Sequence, residues 1–363
     1  MGKDNLMYIH FIDIINNYDT TKSTLIKALK ANKALLVVID NVDPNVSLLS
    51  IKTGVEYNYT SEDLEKARQL NNELIEKYGM KQQIRFSEFY HRTESEHIIW
   101  SLGEVIKANN MVDDVVNTIK EYNFSPYETL LYIYKWISMN FLYSHNYEQK
   151  YGSHGDACGS IVAAYKFKKI VCLGFASLTK AIIDKLNNRN LSCERIDLQL
   201  QRDEKQSAHT LNFINVMDAK YNINGKYAWD VTQDCKREQA ENINLTRGFW
   251  YCMFPIYDMI NNEEFKYGVP KIKMPYHDSV FIHHVDPNLE KKKWKKQFGK
   301  IEPISFDKFK DALTVVYEQV AEFRNGLDAK TAVENEIEIS LNRLQQGYNV
   351  IPIHLKNEGL TIN

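Results

Sequence analysis

An α+β fold is predicted by three features of the chain: a helix-period apolar stripe that opens at Cys172, three strand-like runs that follow it directly, and further helical stripes toward the C-terminus. After Cys172, apolar residues recur at Phe175, Leu178, Ile182 and Leu186, spacings of three and four that put one stripe on one helical face. Next, Ile196-Asp197-Leu198-Gln199-Leu200 alternates strictly, as a half-buried strand does. Leu211-Asn212-Phe213-Ile214-Asn215-Val216 has the β-branched and aromatic content of a second strand, and Tyr227-Ala228-Trp229-Asp230-Val231-Thr232 reads as a third. Asn224-Gly225, just before the third run, is a favoured two-residue turn, so the last two runs are expected to pair antiparallel.

Elements outside this centre suggest three regions, residues 1–122, 123–265 and 266–363, in a chain of 363 residues, long enough for about two ordinary domains. The first reads as an α+β region. It has a helix around residues 23–29, an apolar strand Ala34-Leu35-Leu36-Val37-Val38-Ile39-Asp40, a helix over residues 64–78 N-capped by Thr60 or Ser61, and an alternating strand over residues 83–89. The last reads as two packed helices, with stripes Phe306, Phe309, Leu313, Val316, Val320, Phe323 and Val333, Ile337, Leu341, Leu344. Phe249, Trp250, Tyr251, Phe254 and Tyr257 form an aromatic cluster, read as core before substrate groove because aromatics dominate ordinary cores.

Composition narrows the function. A formal net charge of −2 gives no global attraction to nucleic acid or anionic membrane, so neither is an expected partner. The basic run Lys291-Lys292-Lys293-Trp294-Lys295-Lys296 reads as a solvated face. Five scattered cysteines without a Cys-x-x-Cys pair argue against a disulfide framework and for a reducing, cytoplasmic setting. His145, His154 and Cys158 match no standard zinc spacing, and no Gly-rich phosphate loop occurs, so no metal and no cofactor is expected. The apolar stretch over residues 6–15 is interrupted by His10 and Asp13 and lacks a cleavage site, so it does not read as a signal peptide; no transmembrane segment is visible.

Cys172, His209 and Asp230 together carry the chemistry. A cysteine in the first turn of a helix meets unpaired backbone N–H groups and the positive end of the macrodipole, which favour a thiolate and can also receive an oxyanion. His209, expected at a strand start after a polar loop over residues 201–206, would take and return the proton. Asp230, at the end of the third run, would hold the imidazole tautomer. Taken singly, a cysteine or histidine in such a place is ordinarily structural; the order, flanks and contexts of all three point to catalysis.

Register constrains this triad. A strict two-residue hairpin at Asn224-Gly225 would set Asp230 opposite residue 219, about 33 Å along the strand from His209. Contact requires the pairing midpoint to fall near residues 219 and 220. Residues 217–222 are therefore expected to loop out, with the Asn-Gly turn inside that excursion.

These residues resemble the transglutaminase-like superfamily, a papain-like Cys-His-Asp fold, in its bacterial form. The matching runs are Gly159-Ser160-Ile161-Val162-Ala163-Ala164, Val171-Cys172-Leu173-Gly174-Phe175-Ala176, His209-Thr210-Leu211-Asn212 and Trp229-Asp230-Val231-Thr232, with residues 127–137 resembling the family's preceding helix. The resemblance covers about residues 125–260. It implies a nucleophile helix packed on an antiparallel sheet that carries His209 and Asp230, with Cys172, His209 and Asp230 as catalytic triad. Departures are Ile170 in place of a small residue, Thr210 in place of an aromatic, and a long segment after the histidine; all bear on pocket shape. A papain-like cell-wall peptidase fits less well, since no Asp precedes the cysteine and Trp229-Asp230 follows.

The implied activity is acyl transfer from amide bonds of peptides or proteins through a thioester, with hydrolysis ahead of cross-linking. A substrate peptide or protein is the expected partner. The reading from another class is a non-catalytic scaffold that keeps the fold and uses the cleft to bind a peptide.

Overall fold

The structure, a computed structural model, describes residues 6–38, 61–80, 85–88, 98–144, 161–202, 205–237, 248–249, 252–256, 267–270, 296 and 301–345. Its architecture is α+β, mixed helix and sheet. The chain divides into two compact units, Met1–Val112 with Lys273–Phe281, and Asp113–Ile272 with Ile282–Asn363.

The first unit holds β1 (Leu6–His10), α1 (Phe11–Asn16), α2 (Tyr18–Lys30), β2 (Ala34–Val38), α3 (Ser61–Tyr78), β3 (Arg85–Glu88) and β4 (Ile98–Ser101). It also holds the first half of α4 (Leu102–Tyr122), a helix that crosses the division. β1, β2 and β3 run parallel and β4 closes the sheet antiparallel. Parallel strands need crossover connections, and α2 and α3 lie in those connections. The sequence expectation of an α+β region thus acquires a β-α-β character. Leu64, Ala67, Leu70 and Leu74 of α3 are buried at helical spacing, and Lys22 of α2 meets Glu73 of α3 at 2.6 Å. Ser61 begins α3; Thr60 lies outside the described residues.

The second unit opens, after the end of α4, with α5 (Pro126–Asn140), whose start is written in sequence: Ser125 caps it, Pro126 occupies the first turn and Glu128 completes a capping box. Then come β5 (Leu142–Tyr143), α6 (Ile161–Phe167), β6 (Lys169–Ile170), α7 (Cys172–Leu186), β7 (Leu191–Arg202), β8 (Lys205–Asp218), β9 (Ile223–Trp229), α8 (Val231–Asp234), β10 (Lys236–Arg237), β11 (Phe254–Pro255) and β12 (Tyr267–Pro270). Five of these strands form an antiparallel sheet in the order β11-β9-β8-β7-β12. Three short ones form a parallel sheet in the order β10-β5-β6. Helix α7 packs on β7 and β8, and α5 packs beside it.

The C-terminal helices α9 (Phe306–Gln319) and α10 (Ala329–Gln345), joined through a 3₁₀ turn at Ala321–Arg324, belong to this same unit. Phe309, Leu313, Val316, Val320, Phe323 and Val333 are buried as their spacing predicts, while Phe306 and Ile337 are only half-buried and the side chains of Leu341 and Leu344 lie outside those described. Glu336 takes the inward place beside Ile337, hydrogen-bonded to Lys135 of α5 and accepting from the Tyr317 hydroxyl at 2.9 Å. Phe249 and Phe254 are core residues; Trp250, Tyr251 and Tyr257 lie outside the described residues, as do His145, His154, Cys158 and all of the basic run but the exposed Lys296. Among the described residues no helix is long and apolar enough to cross a membrane.

Candidate functional site

Helix α7 starts one residue after β6, so the small parallel sheet delivers Cys172 into the first helical turn. Val171 is its N-cap and offers no side-chain acceptor, which leaves backbone N–H groups of that turn for an incoming anion. Phe175, Leu178 and Ile182 of the expected stripe are essentially sealed from solvent, while Leu186 at its end is only half-buried. Each such burial stabilises by roughly 1.5–3 kcal/mol, which holds the helix axis against the sheet. At the far end Asn187 takes the left-handed conformation (φ 49°) and ends the helix. Lys180 bridges to Asp184 at 2.6 Å and donates to the Cys193 carbonyl at 3.3 Å, tying α7 to β7. Cys172 itself is partly exposed, whereas Cys193, Cys235 and Cys252 are buried.

The strand register differs from the sequence expectation in three ways. Within the expected loop, Gln201 pairs with Gln206 and Arg202 with Lys205, because a ribbon's backbone ladder forms whatever the polarity of its side chains, while residues 203 and 204 lie outside the described residues. His209 consequently sits inside β8, four residues past its start, paired with Leu198. The β8–β9 connection occupies residues 219–222 only, since Met217 pairs with Asn224 and Asp218 with Ile223. Asn224-Gly225 is strand, neither the turn nor part of an excursion. Asp218 dictates this: its carboxylate accepts from the Lys220 and Tyr221 backbone N–H groups at 2.9 and 3.3 Å, an Asx-type turn, and Asn222 supplies the left-handed residue (φ 49°). Gly225 is needed for close packing, as a Cβ there would stand 3.1 Å from the Tyr227 ring and 3.2 Å from Ile301.

The required shift of the hairpin midpoint is nevertheless present. Asn212 pairs with Trp229, and continuing that register puts Asp230 beside Leu211, two positions from His209. Asp230 lies one residue past the end of β9, where it N-caps the four-residue helix α8.

At this corner His209 Nε2 lies 2.7 Å from Asp230 Oδ2, with both side chains buried. The Cys172 sulfur is within hydrogen-bond reach of the same imidazole. With Nε2 engaged by Asp230, Nδ1 is the ring nitrogen left for sulfur. Burial disfavours the charged ring, but Asp230 and then Cys172 outweigh it and push His209 up to about 10. The three residues singled out in the sequence are therefore brought together around one imidazole.

Two further residues build the site, and only one had a sequence signal. Asn212, fourth residue of the His-x-x-Asn run, donates from Nδ2 to the Ala176 carbonyl at 3.0 Å and so fixes α7 to β8. Tyr134 of α5, part of an apolar helical run, places its hydroxyl 2.5 Å from Asp234 Oδ2 and 3.3 Å from the Asp230 carbonyl oxygen. No periodicity marks Tyr134 as different from its buried neighbours Tyr132 and Ile133. Among the described residues no cluster of His, Cys, Asp and Glu could hold a metal ion.

Comparison with models of known protein families and with curated proteins finds no match to this chain.

Proposed function

We propose that the chain is a cysteine acyl-transfer enzyme of transglutaminase-like type, acting on amide bonds of peptides or proteins, with hydrolysis favoured over cross-linking. The observation that carries this reading is the convergence on one buried imidazole of Asp230 at 2.7 Å and of a partly exposed sulfur at a helix start. The sulfur of Cys172 attacks the amide carbonyl carbon while the oxyanion is received by the first-turn N–H groups of α7. The C–N bond breaks, the leaving amine takes the proton carried by His209, and a thioester remains. Water then adds, giving up a proton to His209, and releases the acid with the thiol restored. A primary amine in place of water would yield a new amide. The described cysteines are all free, which suits a reducing, cytoplasmic setting.

Iodoacetamide labelling at pH 7, with sites located by mass spectrometry, tests the reading. Cys172 is expected to react faster than an unstructured cysteine peptide, and His209→Ala to slow it by about tenfold or more. The peptide is the proper reference because burial alone makes Cys193, Cys235 and Cys252 slow. Ordinary reactivity at Cys172, unchanged in His209→Ala, would overturn the enzyme reading and leave a peptide-binding scaffold.

A further inference from the structure

We propose that Tyr134 is the positioning residue for Asp230, acting through the α8 turn, so that the histidine's carboxylate partner is aimed from α5 rather than by the strand that carries it. The inference rests on the acyl-transfer reading, and four observations lead to it.

First, Asp230 has left the ladder: β9 ends at Trp229, and the Asp230 backbone (φ −136°, ψ 79°) is neither strand nor helix. The strand ladder therefore does not set the Asp230 backbone. Second, the helix that follows is one turn long, closed by the Cys235 N–H to the Val231 carbonyl at 3.0 Å, and a single turn has little rigidity of its own. Third, the Tyr134 hydroxyl touches both ends of this turn, donating to Asp234 Oδ2 at 2.5 Å with the Asp230 carbonyl oxygen 3.3 Å away. The short distance is that of a charge-assisted bond. Fourth, the same ring packs edge-on to Trp229 at 4.9 Å and stacks on Phe249 at 5.5 Å, so residues 229, 230 and 234 are all referenced to one fully buried side chain. Desolvation, and after it the Asp234 carboxylate, hold the Tyr134 phenol well above its usual range, so it remains a donor at any working pH.

Without the hydroxyl the ring still fills its place and the turn stays buried, but it loses the polar tie that fixes its orientation against α5. The 2.7 Å contact between His209 and Asp230 then slackens. Titratable groups facing this corner are Cys172 on α7, Asp230 and Asp234 on the α8 turn, Tyr134 on α5 and the buried Cys252. Asp234 is the one whose charge a Tyr134 variant also disturbs, so it supplies the control.

The experiment is an NMR titration of the His209 ring in full-length wild type and Tyr134→Phe, with unfolding midpoints measured in parallel. Tyr134→Phe is expected to lower the His209 midpoint by about one pH unit or more. A midpoint equal to wild type, whatever the loss of stability, would overturn the proposal. Should Tyr134→Phe fail to fold, Asp234→Asn and Asp234→Leu decide the matter, since both remove the same charge but only asparagine still accepts from the hydroxyl. The leucine variant is expected to show the larger fall; equal falls would overturn the proposal. The titration reads His209 whether or not Cys172 reacts, so failure here is distinct from failure of the alkylation test.

Discussion

Glu336→Leu is expected to destabilise the second unit by about 3–5 kcal/mol, because it takes the carboxylate partner from the buried Lys135 ammonium. Lys135 and Glu336 are 3% and 8% exposed, and the rings of Phe249 and Tyr317 each stand 5.9 Å from the ammonium. Aromatic faces attract a cation by a fraction of what desolvation costs, so the carboxylate carries the balance. The double variant Lys135→Met with Glu336→Leu removes both charges and is expected to recover most of the loss. Urea unfolding of the three proteins measures it; a double variant no more stable than Glu336→Leu would refute the view of the pair as mutual compensation in an otherwise apolar contact.

Asp230→Asn is expected to reduce turnover of a peptide amide substrate by about a hundredfold or more, in the range that loss of a positioned acid–base partner costs. The amide keeps the shape of the carboxylate but not its charge, so the imidazolium loses the anion that holds its proton. The pH dependence follows from the direction of the His209 shift. Its folded value, about 10, lies above the ordinary histidine value, so its contribution to stability is complete below about pH 6.5 and is lost as pH rises through about 10. The stability gap between wild type and Asp230→Asn should therefore be widest near pH 6 and close as pH approaches 10. Thermal unfolding across that window measures it, and a gap independent of pH would show that Asp230 does not act through the charged ring.

How far the sequence could be read depended on whether a residue's role was local. The stripe Phe175, Leu178, Ile182 dictates helix and buried face together, and α7 forms as predicted with Cys172 in its first turn. The capping box at Ser125 and Glu128 is likewise local and legible. The β8–β9 turn was not, because two signals competed. Asn224-Gly225 is a turn by intrinsic preference, yet Asp218, fastened also to the Tyr127 N–H at 2.7 Å, ends the strand first, and tertiary anchoring overrides propensity. Asp218 followed four residues later by Asn222, an Asx-turn acceptor and a residue that tolerates the left-handed region, was the available signal. Lys135 and Glu336 were invisible for a related reason: a charged residue in a helical stripe announces burial only when its counter-ion, in another helix, is known. Tyr134 belongs with them.

The capping-box helix α5 makes its partners late. Its contacts reach forward 91 residues to Asp218, 100 to Asp234 and 201 to Glu336. On the ribosome, at about 5–20 residues per second, the interval between synthesis of Lys135 and its counter-ion is on the order of ten seconds or more. Throughout it the emerging chain holds an apolar helix whose lysine, buried in the finished fold, has yet to meet its carboxylate.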